Sequence, residues 1–128
     1  MSLSWQTILA VGVGGFFGSI LRAYAVFFQT KYYPIDFPLG ILIINVLGSF
    51  FIGFLYVYFS SYIVSDNIRF LLMTGILGGF TTFSTFALDS YLLFGASLNL
   101  AILNILSNLF GSILAVAIGV KIAQIIFK

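Results

Sequence analysis

Four apolar stretches follow one another in this chain with almost nothing between them, over 5–28, 38–62, 68–94 and 98–127. The connections are the short strings QTKYYPIDF, IVSDN and GAS. Each stretch reaches the roughly 20 residues that an α-helix needs to cross the hydrocarbon core of a bilayer. Only 6% of the residues are charged and 62% are hydrophobic, whereas soluble domains carry about a quarter charged residues. The reading is an all-α integral membrane protein with four transmembrane helices in a single domain over 1–128. The opening MSLSWQ has no basic segment, so the first stretch is expected to stay as a helix and not to be cleaved as a signal peptide. Asp36 with Pro38 reads as a helix start, Asp66 with Asn67 as the cap of the third helix. Trp5, Tyr32, Tyr33, Tyr56, Tyr58 and Tyr62 fall where membrane interfaces belong.

Composition then removes whole classes of function. There is no cysteine and no histidine, which excludes disulfides, thiol chemistry, zinc sites and imidazole acid–base catalysis. A net charge of +2, scattered along the chain, makes no nucleic-acid surface. The carboxylates are Asp36, Asp66 and Asp89, poorly placed for hydrolysis or proton coupling. No nucleophile–base pair is visible, so an enzyme is not expected.

In hydrocarbon, every backbone donor and acceptor needs a partner, and irregular backbone survives only against protein or a cavity. The stretch GGFTTFSTFALDS at 78–90 breaks that economy. Gly75, Gly78 and Gly79 weaken the third helix just before Thr81, Thr82, Ser84 and Thr85. One reading is a helix broken near its middle, whose freed carbonyls face a cation. The other is a close helix crossing with hydroxyls as inter-helix hydrogen bonds. Phe83 and Phe86 share a helical face three residues apart. Packing is the default for them, yet a ring edge is positive and can meet a small anion without adding a charge.

On the fourth helix Asn104, Asn108 and Ser112 form one polar stripe at i, i+4 and i+8, beside Ser107 and Gly111. Asn45 and Ser49 repeat it on the second, in the pattern Asn-x-x-Gly-Ser. Such rows offer hydrogen bonds to a passing anion, or fasten helices together. The first helix carries Gly14-x-x-x-Gly18, a close-packing pattern, and then Arg22. Arg22 either snorkels to the interface or stands at a water-filled vestibule where it concentrates anions. Asp89, near the end of the third helix, is placed near headgroups. Arg69, Lys121 and Lys128 on one side face Lys31 and Arg22 on the other, almost no positive-inside bias. Insertion in both orientations, followed by antiparallel pairing, is one explanation. A short chain with poor statistics, or a partner that fixes topology, is the other.

The stretches GGFFGSILR (14–22), PLGILIINVLGSFFIG (38–53) and GGFTTFSTF (78–86) resemble the CrcB/Fluc family of small bacterial fluoride channels, and the likeness covers essentially the whole chain. The resemblance implies a dual-topology, antiparallel homodimer with two fluoride pores, a buried central sodium ion and a place in the bacterial inner membrane, in contact with lipid. By motif position, the carbonyls of Gly78 and Thr81 would hold sodium and Phe83 and Phe86 would present their edges to fluoride. Asn45 would be the pore amide and Arg22 the vestibule cation. Thr82, Ser84 and Thr85 would complete the polar track with Asn104, Asn108 and Ser112, where other members often carry tyrosine and serine. A small multidrug antiporter is the rival of similar size, but the only membrane-embedded carboxylate in its reach is Asp89. A non-transporting subunit, with its polar stripes as contact surfaces, is the third reading.

Overall fold

The computed structural model describes residues 3–128. Among these the chain is all helical, and four helices are long and apolar enough to cross a membrane, as expected. Helix α1 (Trp5–Tyr32) and α2 (Leu39–Ser61) are continuous. The third span, Asp66–Ala96, is assembled from pieces. It begins with α3 (Asp66–Arg69), widens into a π-helical run over Phe70–Leu77 and returns to α4 (Gly78–Phe80). Thr81 and Thr82 are extended, and α5 (Phe83–Ala96) then resumes. The break expected near the middle of this span is present. Helix α6 (Leu98–Phe127) closes the bundle.

The connections are short enough that consecutive spans must run in opposite directions, and the end contacts agree. At one end, the Thr7 hydroxyl on α1 donates to the Asn67 side-chain oxygen at 2.8 Å. There too, Phe127 stacks edge-on against Tyr58 and Tyr62, at 5.2 and 5.7 Å between ring centroids. At the other end the Gly40 amide donates to Gln29 Oε1 at 3.3 Å. Helix α2 starts where Asp36 and Pro38 were read to place it, with Pro38 at the cap position. The third span differs from expectation at its start. Ser65 occupies the cap position and Asp66 lies in the first turn, where its charge complements the helix dipole. Asn67 ties the span to α1 and caps nothing.

Two tightly packed pairs make up the bundle. Glycines set both. On α1, Gly14 and Gly18 face Gly75 and Gly79, so that the two backbones touch. A Cβ at Gly75 would lie 2.9 Å from the Gly14 Cα, and one at Gly79 would lie 2.9 Å from the Gly15 carbonyl oxygen. A Cβ at Gly18 would strike the Ile76 carbonyl. In the second pair, Gly53 of α2 admits the Val116 backbone and Gly119 of α6 admits the Phe50 backbone. Lipid tails give no hydrophobic drive for helices to associate, so contact area at close approach is what holds such pairs. The outer faces carry exposed apolar side chains, among them Phe16, Phe17, Ile113 and Leu114. Gly18→Val should therefore cost about 1–3 kcal/mol or more by overpacking, seen as a lower melting temperature or lost folded protein in detergent. Gly12→Ala, whose new Cβ meets nothing within 4 Å, should leave folding intact.

Candidate functional site

The two packed pairs meet at the break in the third span, and one side chain governs what happens there. Ahead of the break, the Leu77 carbonyl accepts from both the amide and the hydroxyl of Thr81, each at 2.9 Å. A continuous helix would next bond the Thr82 amide to the Gly78 carbonyl. Instead the Thr82 amide donates to Asn45 Oδ1 at 2.9 Å, and Asn45 Nδ2 donates to the Thr82 carbonyl at 3.1 Å. The Asn45 amide thus pairs with an extended residue as a neighbouring strand would. Gly48, one turn further along α2, leaves the room that the Thr81 methyl group fills.

Past the break, Thr82 caps α5. Its Oγ1 accepts from the Thr85 amide at 3.2 Å and sits 3.2 Å from the Thr85 hydroxyl and 3.3 Å from that of Ser84. Hydroxyls at this spacing satisfy the amides that begin a helix. Phe83 and Phe86 then lie on the first turn of α5 with their rings edge-to-face, centroids 5.4 Å apart at 66°. Phe83 is 78% exposed.

A groove of about 570 Å³ runs between α2, the break and α6. It brings together Asn45, Gly78, Thr81, Thr82, Phe83, Phe86, Asn108 and Ser112, with Ser49 beside them. The hydroxyls of Ser49 and Ser112 have no hydrogen-bond partner among the described residues. No charged side chain lines this groove. Ile52, Leu77, Ile105 and Leu109 make much of its wall apolar, and the polar groups set among them are hydroxyl, amide and ring-edge dipoles, which can face a small anion.

Some predicted residues stand behind the groove and not in its wall. Asn104 is 0% exposed. Its Nδ2 donates to Ser90 Oγ at 2.9 Å, and Asn108 Nδ2 donates to its side-chain oxygen at 3.0 Å. Asn108 in turn accepts from Asn45 Nδ2 at 2.9 Å. Ser84 is exposed at the start of α5. Arg22 reaches the break itself: its Nη1 donates a charge-assisted bond to the Thr81 carbonyl at 3.1 Å. Asp89 lines a different cleft of about 630 Å³, with Asp36 and Gln29 at one end of the bundle. Ser90 was not singled out by sequence reasoning. The available signal was a lone hydroxyl one turn after Phe86.

The donor set at the break fits a hard cation that needs only oxygen ligands. Among the described residues, no backbone amide donates to the carbonyls of Gly78 or Thr81, and Gly78 is exposed. Thr81 shares its carbonyl with Arg22, and a carbonyl oxygen has a second lone pair. No group of three acidic or metal-binding side chains converges anywhere among the described residues, so a cation here would rest on backbone oxygen.

A family model described as CrcB-like protein, Camphor Resistance (CrcB), matches residues 9–120. The chain is 46% identical over 125 residues to a protein of Sulfurimonas denitrificans named fluoride-specific ion channel FluC, covering 96% of this chain and 97% of that one. It is 42% identical to the protein of that name in Campylobacter fetus subsp. fetus, over 98% and 99% of the two chains. With fluoride-specific ion channel FluC 3 of Methanosarcina barkeri the identity is 45%, over 91% and 89%.

Asn45→Leu tests the pairing at the break. It keeps the branched shape and heavy-atom count of the side chain but leaves the Thr82 amide and carbonyl and Asn108 Oδ1 without partners. Stability in detergent should fall by about 1–3 kcal/mol, and hydrogen exchange should accelerate at Thr82. Unchanged exchange there would show that Asn45 does not hold the break.

Proposed function

This chain belongs to the CrcB family of fluoride-specific ion channels, and from that premise we propose that it lets cytoplasmic fluoride leave passively across the bacterial inner membrane. The working unit in this proposal is an antiparallel homodimer of oppositely inserted copies, with two pores, one structural sodium ion at its centre and lipid around its apolar exterior. The near balance of Lys and Arg between the two sides supports insertion in both orientations.

The observation that carries the reading is the groove at the break, where neutral dipoles are set among apolar side chains and no charged group enters the wall. Fluoride is small and strongly hydrated, and a pore must replace its water. The edges of Phe83 and Phe86 carry positive potential. Ser112 offers a hydroxyl with no other partner among the described residues. The Thr82 hydroxyl lies at the groove, with those of Ser84 and Thr85 within 3.3 Å of it. Asn45 and Asn108 stand in the groove wall as amide dipoles, bonded to each other and, through Asn45, to Thr82, while Asn104 supports Asn108 from behind. Arg22, at the break, raises the local concentration of anions without lining the groove. Conduction needs binding firm enough to admit the ion and weak enough to release it. Neutral donors meet both conditions, and their fixed spacing holds larger halides poorly.

For sodium, the Gly78 and Thr81 carbonyls of two copies supply four oxygen ligands. The ion, when bound, adds a positive charge that satisfies carbonyls which lipid cannot. The antiporter reading finds no support in the groove, whose wall contains no carboxylate.

Purified protein in liposomes should release fluoride rapidly and electrogenically, with no chloride release. Proton-driven drug uptake would instead favour the antiporter, and silence would favour a non-transporting subunit. Phe83→Ile and Phe86→Ile should each cut fluoride flux at least tenfold while the dimer persists; full flux in both would return the rings to packing. Sodium should raise the melting temperature relative to a large organic cation. At a sodium concentration a hundredfold above its Kd, the stabilisation should reach about 2.7 kcal/mol.

A further inference from the structure

The extended dipeptide at Thr81 and Thr82 solves one problem and creates another. It interrupts the third span, and so no continuous helix fixes how α5 is rotated about its own axis. Phe83 and Phe86 ride on the first turn of α5. A modest rotation of that turn would swing both rings away from the groove. Their mutual edge-to-face contact cannot prevent this, because both rings would move together.

A set of hydrogen bonds runs from one side of this turn to the other through two neighbouring helices. The Thr82 amide donates to Asn45 Oδ1 at 2.9 Å. Asn45 Nδ2 donates to Asn108 Oδ1 at 2.9 Å, and Asn108 Nδ2 to Asn104 Oδ1 at 3.0 Å. Asn104 Nδ2 donates to Ser90 Oγ at 2.9 Å, and Ser90 Oγ donates to the Phe86 carbonyl at 2.8 Å. Every donor points the same way along this path, the arrangement in which neighbouring hydrogen bonds polarise and strengthen one another. Its two ends are the residue before Phe83 and the carbonyl of Phe86. Ser90 is 6% exposed and Asn104 0%, and neither lines the groove.

We infer that Asn104 and Ser90 are positioning residues, which close this circuit and hold the turn bearing Phe83 and Phe86 in one orientation toward the ion path. The inference rests on the reading of those rings as fluoride contacts. A simple fastener between α5 and α6 could sit at any crossing point; this one is anchored on the main chain of Phe86. An apolar side chain at Asn104 would cut the link between Asn108 and Ser90, while Asn108 Nδ2 would keep its bond to the main-chain carbonyl of residue 104 at 3.1 Å and Ser90 its bond to the Phe86 carbonyl. Ser90 is the more revealing position, since removing its hydroxyl deletes two successive links and almost no volume.

The test uses the full-length protein in liposomes, with Ser90→Ala, Ser90→Thr and Asn104→Ala, and with 4-fluorophenylalanine placed at position 86 for fluorine NMR. In the Ser90→Ala dimer, fluoride flux should fall at least tenfold, discrimination against chloride should weaken, and the position-86 signal should broaden or split. Ser90→Thr, which keeps the hydroxyl, should restore all three, and Asn104→Ala should match Ser90→Ala. Should Asn104→Ala fail to assemble, the Ser90 pair decides. Wild-type flux, selectivity and a single sharp signal in folded Ser90→Ala would overturn the inference, even if its melting temperature dropped, because a mere fastener predicts that pattern. If the unmodified protein passes no fluoride, the channel reading fails by itself. The fluorine signal of Ser90→Ala against Ser90→Thr still decides whether the circuit orients Phe86.

Discussion

The pair of hydrogen bonds between the Asn45 amide and the backbone of Thr82 makes the rest of the molecule possible. Water is absent from the hydrocarbon core, and an unpaired peptide group there costs several kcal/mol. A helix can be broken at that depth only if something else takes up the peptide groups it releases. Asn45 does this with one side chain, because a carboxamide presents a donor and an acceptor side by side, as a peptide bond does. Gly48 complements it by leaving space for the Thr81 methyl. The glycines that press α1 against Phe70–Leu77 and α4 hold the first half of the span rigid up to the break. The two halves of the span can then differ in rotation, and side chains that a straight helix would send to lipid are turned onto a groove.

The neutrality of that groove follows from the same setting. A full positive charge facing a small anion at about 4 Å is worth roughly 4 kcal/mol at an effective dielectric of 20, a well from which an ion leaves slowly. Hydroxyls, amides and ring edges each contribute a fraction of that, and several together replace a hydration shell without trapping its occupant. The one cation nearby, Arg22, is spent on a carbonyl, so its field reaches the groove while its hydrogen bond at Thr81 goes to protein. Asp36 and Asp89 line a separate cleft at one end of the bundle and not the groove wall.

Much of this was legible in the residues because bilayer physics leaves few choices. Apolar length fixed the four spans to within a few residues, and the glycines and hydroxyls of 75–85 marked the break. The Gly14 and Gly18 pattern announced a close crossing, which Gly75 and Gly79 complete. The part that could not be read is which way a stripe faces. Asn104 and Asn108 are spaced for one helical face whether that face meets an ion or another helix, and only the rotation of α6 places Asn104 against Ser90. Arg22 presents the same difficulty, since its partner is a main-chain oxygen 59 residues further along the sequence. The cap of the third span was misplaced for a related reason. Asn67 has the chemistry of a cap, but Thr7 on another helix competes for it and wins.

What remains unbalanced on a single copy is informative. Exposed phenylalanine is at home in lipid, so the exposure of Phe83 demands no partner. The carbonyl of Gly78 is different. No described amide reaches it, it belongs to an exposed residue, and acyl chains have nothing to offer an acceptor. The two glycines and the π-helical run before it cost helix stability as well. An acceptor left open at the depth where the helix breaks calls for either a cation or a donor from a second molecule. A second copy inserted the opposite way is the partner we propose, because a two-fold axis in the membrane plane near Gly78 would set its carbonyls against their equivalents. Facing acceptors repel unless a positive ion lies between them. Sodium and the antiparallel dimer are therefore one proposal, since each removes the cost that the other would incur alone.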